Sequence, residues 1–215
     1  DKAVRQGVKQ FIYASSGSVY GIQDEEKVTE DLELVPLSEY NKTKMVAERV
    51  LLSYVDDISV HIVRPATVCG YSPRMRLDVS VNMLTMQALT NGVITVFGGT
   101  QVRPNIHIED ITDVYLYFLD HPEYTGVYNA GFENISILDI AERVATKVPA
   151  EIVITESNDP RSYRLNSDKL LATGFVPRHD ITDAIDEIIE HFQDGSLIDD
   201  VSNYNLGWMQ RERVS

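Results

Sequence analysis

Tyr40 and Lys44, four residues apart in Ser38-Glu39-Tyr40-Asn41-Lys42-Thr43-Lys44, are a pair whose types and spacing could do chemistry. If the segment is helical, both side chains leave one face a turn apart, and the ammonium can act on the phenol. A free phenol, with a pKa of about 10, is a poor base at neutral pH. A neighbouring positive charge stabilises the phenolate and suits it to general acid/base work. The same spacing also fits two polar residues on a solvated helix, so the surrounding elements decide what the pair means.

Those elements read as a strand, a helix and a strand. Gln10 to Ala14 predicts a short buried strand that ends in the small cluster Ser15-Ser16-Gly17-Ser18. Ser38 is a suitable N-cap, and Ala47, Val50, Leu51 and Tyr54 recur at helical steps as one buried face. Ile58 to Val63 predicts a second strand, stopped by Arg64-Pro65. A βαβ unit of this kind favours a parallel sheet, in which small hydroxyl residues at strand C-termini face a ligand. Further helices are expected over 79–89, 109–119, 137–147, 167–174 and 181–192, with short strands at 95–97, 105–108, 126–131 and 152–154. The tail from Gly195 shows no periodicity.

The chain has 215 residues, 43% of them hydrophobic, which is globular composition. A net charge of −14 argues against nucleic acid as partner, and a small anionic ligand would need arginines gathered in one cleft. No apolar run is long enough to span a bilayer and the N-terminus lacks a signal-peptide pattern, so a soluble, cytoplasmic protein is expected, without membrane partners. The single cysteine, Cys69, excludes an internal disulfide, and no metal site is expected. The first residues read as a helix end stopped at Gly7 and followed at once by a strand, which predicts sequence missing upstream.

In order, Phe11-Ile12-Tyr13-Ala14-Ser15-Ser16-Gly17-Ser18-Val19-Tyr20-Gly21, Thr29-Glu30-Asp31, Pro36 and Tyr40-Asn41-Lys42-Thr43-Lys44 form a series. It continues through Arg64-Pro65, Asn82, Arg103-Pro104-Asn105-Ile106-His107-Ile108-Glu109-Asp110, Asn129-Ala130-Gly131, Asp168-Lys169-Leu170 and Gly174-Phe175-Val176-Pro177. The series resembles the extended short-chain dehydrogenases/reductases that act on nucleotide sugars, the NAD-dependent epimerase/dehydratase family. The resemblance implies an α/β fold: the C-terminal part of a Rossmann-type doubly wound parallel sheet with a small interleaved α/β substrate-binding region. It implies residues 1–66 as the second half of the NAD-binding domain, 67–194 as mainly substrate-binding with segments returning to the sheet, and 195–215 as a tail. None of the 12 glycines forms the family's glycine-rich pyrophosphate loop, so an N-terminally truncated member is expected, with weak NAD affinity.

By this resemblance Tyr40 is the general acid/base, Lys44 binds the nicotinamide ribose and acts on Tyr40, and Ser16 orients the substrate oxygen. Ala14, Ser15, Pro65 and Thr67, with Tyr40 and Lys44, would bind the cofactor, NAD or NADP. Asn82 and Arg103 would hold the diphosphate of a nucleotide-diphosphate sugar beside Ser16, with Arg161 and Arg164 as further guanidinium candidates and Tyr163 as a stacking one. Dehydratases of the family carry acidic residues just after the catalytic hydroxyl, where this chain has Gly17 and Ser18. An NAD-dependent nucleotide-sugar epimerase is therefore expected, a homodimer at full length. The alternatives are a reductase, decarboxylase or dehydratase of the same family, or a non-catalytic truncated relative that acts as a binding module.

Overall fold

A computed structural model describes residues 1–23, 25–157 and 162–212. The chain opens with a short helix α1 (Lys2–Arg5), ended by Gly7 at φ +74°, and strand β1 (Gln10–Ala14). Helix α2 (Glu39–Leu52) leads to β2 (Ser59–Pro65), and β3 (Thr67–Cys69) follows at once. Next come α3 (Ser80–Asn91), β4 (Val93–Phe97), β5 (Val102–His107) and α4 (Ile108–Asp120). Then β6 (Gly126–Ala130), β7 (Glu133–Ser136), α5 (Ile137–Lys147) and β8 (Glu151–Thr155) precede α6 (Asp168–Leu171), α7 (Ile181–Gln193) and α8 (Asn205–Glu212).

The apolar run of β2 is buried from Val60 to Arg64 because it has a parallel neighbour on each side. Tyr13 pairs with Ile62 and Ala14 with Val63 on one side, and Val63 pairs with Tyr128 and Pro65 with Ala130 on the other. A second sheet, ordered β3-β5-β7, joins β3 to β5 in parallel and β5 to β7 antiparallel, and β4 pairs with β8 in parallel. Val81, Leu84, Ile94, Ile140, Val144 and Ile185 form the core between this half's strands and α3, α5 and α7. The α4 stripe of Ile111, Val114 and Phe118 packs with Val63 and Tyr128 beneath the first sheet. No helix among the described residues is long and apolar enough to cross a membrane.

Three local expectations change. Strand β1 is not buried: Phe11 is 36% exposed and Ala14 is exposed, because β1 lies at the edge of its sheet and pairs only with β2 among the described residues. The apolar face expected on α2 is only half covered, with Ala47, Leu51 and Tyr54 half-buried and Val50 54% exposed. The fully buried α2 positions are Asn41 and Glu48, and Val50 lies about 200° around the helix from Glu48. The tail from Gly195 contains α8, which with the turn before it docks on the 70–78 loop: Leu77 N donates to Asn203 O at 2.8 Å, and Asn205 N donates to Asp78 Oδ2 at 3.1 Å.

Candidate functional site

The parallel strands β1 and β2 end side by side, and the turns that leave them open into a cleft, where ligands sit in open α/β sheets. Its main cavity, about 770 Å³, is lined by Ser16, Tyr40, Ala66, Arg74, Arg76 and Asn82 among others. None of the described residues in its wall is Asp or Glu, although the chain carries a net charge of −14. Two smaller cavities share Thr67 with it: one of about 340 Å³ reaches Thr95, Phe97 and Arg103, and one of about 350 Å³ reaches Asn41, Arg103 and Tyr163.

Helix α2 presents Tyr40 to this cleft because Ser38 caps it, its hydroxyl accepting from Asn41 N at 3.2 Å. Tyr40 is 56% exposed at the cavity wall. Lys44 sits one turn further on, with Nζ 5.6 Å from the Tyr40 ring centroid and 5.0 Å from that of Tyr13. Its ammonium donates to Ala14 O at 2.7 Å, which pins the helix to the end of β1. Burial, with the charges of Glu48 and Tyr40, raises the Tyr13 phenol pKa above its ordinary value.

Ser16 begins the 3₁₀ turn Gly17–Tyr20 and accepts from Ser18 N at 3.2 Å. Its hydroxyl lies 2.8 Å from that of Ser18, which donates to Asn41 Oδ1 at 2.8 Å. Ser16 is thus linked through Ser18 to the residue that follows Tyr40 on α2. The pattern of the sequence marks Ser18 only as a position without a carboxylate; its neighbour Asn41 stands 23 residues away and no local spacing signals the link.

The other expected residues divide. Pro65 and Thr67 line the main cavity. Ser15 also lines it, largely buried, but its hydroxyl donates to Glu48. Asn82 lines the cavity wall with both amide hydrogens committed, to Arg76 O at 2.9 Å and Gly70 O at 3.3 Å, while Oδ1 accepts from Gly70 N at 3.0 Å. It shapes the 70–78 loop that carries Arg74 and Arg76 into the wall. Arg103 borders both smaller cavities. Arg164 is exposed and absent from the walls of all three, and its carbonyl accepts from Val28 N at 2.8 Å. Arg161 lies outside the described residues.

Arg74, Arg76 and Asn205 are wall residues that sequence reasoning left unassigned. The available signal for the first two was a pair of arginines in one loop of an acidic chain. Asn205 had none, because α8 meets this loop only through tertiary contact: Arg74 Nη2 donates to Asn205 Oδ1 at 2.9 Å, and its guanidinium lies 5.8 Å from the Trp208 ring centroid. His107 at the end of β5 caps α4, with Nδ1 accepting from Glu109 N at 3.2 Å, and stacks on His179 with ring centroids 4.7 Å apart. Among the described residues no group of three His, Cys, Asp or Glu could hold a metal ion.

A sequence model of the NAD dependent epimerase/dehydratase family matches residues 1–131. The chain belongs to this family. This epimerase/dehydratase family member is 28% identical over 206 residues to UDP-glucose 4-epimerase of Lactobacillus helveticus, covering 83% of the chain and 62% of that enzyme. The chain therefore spans less than two thirds of that relative's length. Its structure resembles UDP-glucuronic acid 4-epimerase from Bacillus cereus, solved with UDP-glucuronic acid and NAD, at a TM-score of 0.74 and 28% identity over 86% of this chain and 62% of that one. It also resembles dTDP-glucose 4,6-dehydratase from Bacillus anthracis, solved with NAD, at a TM-score of 0.78 over 90% of this chain and 64% of that one; at 20% identity that likeness concerns the fold alone. The fold of this family member is the Rossmann-type α/β arrangement its sequence predicts.

Proposed function

We propose that this chain carries the acid/base and substrate-binding part of an NAD-dependent nucleotide-sugar epimerase. The observation that carries the reading is the convergence of Ser16 and Tyr40 on one cavity, with Lys44 tied to the end of β1 behind them, in a chain of this family. The strand ends fit a nicotinamide: Ala14, Ser15, Pro65 and Thr67 would border it, and the Lys44 ammonium would meet its ribose hydroxyls. Bound NAD supplies the hydride acceptor and donor. Tyr40 accepts the proton of the sugar hydroxyl as that carbinol becomes a ketone, and returns it when the hydroxyl re-forms with opposite configuration. Ser16 orients the same oxygen by hydrogen bonding, and assistance of this kind contributes about 10²- to 10⁴-fold.

Arg103, on the smaller cavity that Asp78 also lines, is read as a diphosphate ligand, joined by Arg74 and by Arg76, which pairs with Asp78 at 2.9 Å; the main cavity's wall lacks carboxylates among the described residues. That lack also favours epimerisation over water elimination, because a dehydratase needs an acid and a base beside the reacting sugar. The division of the chain at about residue 66 is supported by β3 leaving the first sheet and β6 returning to it beside β2. A homodimer through α2 is supported by the exposed Val46 and Val50, and a cytoplasmic location fits a single cysteine, which can form no disulfide within the chain.

The test is incubation of the full-length gene product with NAD and a panel of nucleotide sugars, read by chromatography and by absorbance of reduced cofactor. Interconversion of two epimers without net cofactor reduction is expected. Net reduced cofactor or released carbon dioxide marks the reductase or decarboxylase reading instead, and the absence of any conversion leaves the binding module.

A further inference from the structure

Beneath the cleft lies a group of charges that the proton transfer does not use. Glu48 stands one turn beyond Lys44 and two beyond Tyr40 on the same stripe of α2, yet it is only 1% exposed. Arg64, 4% exposed on β2, donates from Nη2 to Glu48 Oε2 at 2.6 Å and from Nε to Oε1 at 3.0 Å. The Ser15 hydroxyl donates to the same Oε1. On its other side, Arg64 Nη1 donates to the Tyr20 hydroxyl at 2.6 Å, which donates to Asn129 Oδ1 at 2.7 Å. Asn129 in turn gives its amide hydrogens to the carbonyls of Val28 and Asn166, at 3.1 Å each. Burial opposes the charge on Arg64, but Glu48 and Tyr20 outweigh it and leave its pKa raised.

A buried ion pair is a weak source of stability, since apolar side chains of similar volume often serve as well or better. What distinguishes this pair is where its partners lead. Ser15 immediately precedes Ser16, Arg64 immediately precedes Pro65 in the cavity wall, and Glu48 shares a rigid helix with Tyr40 and Lys44. The carboxylate therefore fastens the ends of β1 and β2 to α2 at one point. We propose that Glu48 and Arg64, with Ser15, are positioning residues that set the Ser16 hydroxyl against the Tyr40–Lys44 face. The reaction they serve rests on the proposed epimerase activity; the positioning itself does not.

The deciding variant is Glu48→Met with Arg64→Met in the full-length gene product, which removes both charges while filling their volume. Thermal midpoint, kcat, KM and amide hydrogen exchange at 15–20 and 40–44 are compared with the parent. The midpoint is expected to hold within a few degrees and KM to stay within about threefold, while kcat falls on the order of 10²-fold, as for a misplacement of about 1 Å. Exchange at 15–20 is expected to quicken. An intact kcat in the folded double variant, or unchanged exchange at 15–20, overturns the positioning role. If the parent converts no nucleotide sugar, the proposed function fails and the exchange comparison alone decides the positioning claim. If the double variant does not fold, Glu48→Gln, which keeps the side chain's volume and hydrogen-bonding shape but removes its charge, carries the same comparison under the same criteria.

Discussion

Replacing Ser18 by Ala separates orientation of the Ser16 hydroxyl from the presence of that hydroxyl. The Ser18 side chain makes two hydrogen bonds of 2.8 Å, one with Ser16 Oγ and one to Asn41 Oδ1, and is half-buried. Neutral hydrogen bonds contribute about 1 kcal/mol each, so the loss of stability should be about 1–2 kcal/mol. The Ser16 hydroxyl would remain, held only by the Ser18 backbone N at 3.2 Å. Even full release into three staggered rotamers would cost only about RT ln 3, or about 0.65 kcal/mol, so kcat should fall by roughly threefold at most. Ser16→Ala deletes the hydroxyl and should lower kcat by about 10²-fold or more. The assay is steady-state epimerisation by the full-length gene product, with thermal melts on the same preparations. The expected order is parent, Ser18→Ala, then Ser16→Ala. If Ser18→Ala is as inactive as Ser16→Ala while still folded, tethering is the wrong account of Ser18.

Three further outcomes follow from the structure. Burial, opposed by Arg64, pushes the Tyr20 phenol up to about 12 from its ordinary 10.0, so the folded state favours the neutral form. The contribution is whole below pH 10 and is lost as pH rises through about 12; it amounts to at most about 3 kcal/mol, and denaturant melts should show stability falling across that window. Asn205→Ala removes the acceptor of Arg74 Nη2 and an element of the cavity wall, and KM for the nucleotide sugar should rise by about threefold to tenfold with the melting midpoint nearly unchanged; an unchanged KM would show that α8 does not shape the cleft. Gly70→Ala introduces a Cβ at φ +101°, 2.8 Å from His107 Nε2, and should cost about 1–3 kcal/mol in chemical denaturation.

The sequence by itself determined the elements whose signals are local, and the family. The Ser38 cap and the helical patterns over 109–119 and 181–192 act over three to four residues, and the structure carries α2, α4 and α7 there. The order of motifs was enough to name the family and to draw Ser16, Tyr40 and Lys44 together as candidates. The tertiary structure decided what those residues touch. Tyr20 meets Asn129 across 109 positions, Ser15 meets Glu48 across 33 and Arg74 meets Asn205 across 131. The α2 pattern misled for the same reason: Val50 has the right type and period for a core, but burial depends on what packs against that side, and the side that is covered belongs to Asn41 and Glu48. Periodicity and capping describe a chain's interactions with its own next turn. Polar partners brought together by sheet pairing and chain closure leave no mark in local spacing, so the sequence could name candidates for the site but not the network that holds them.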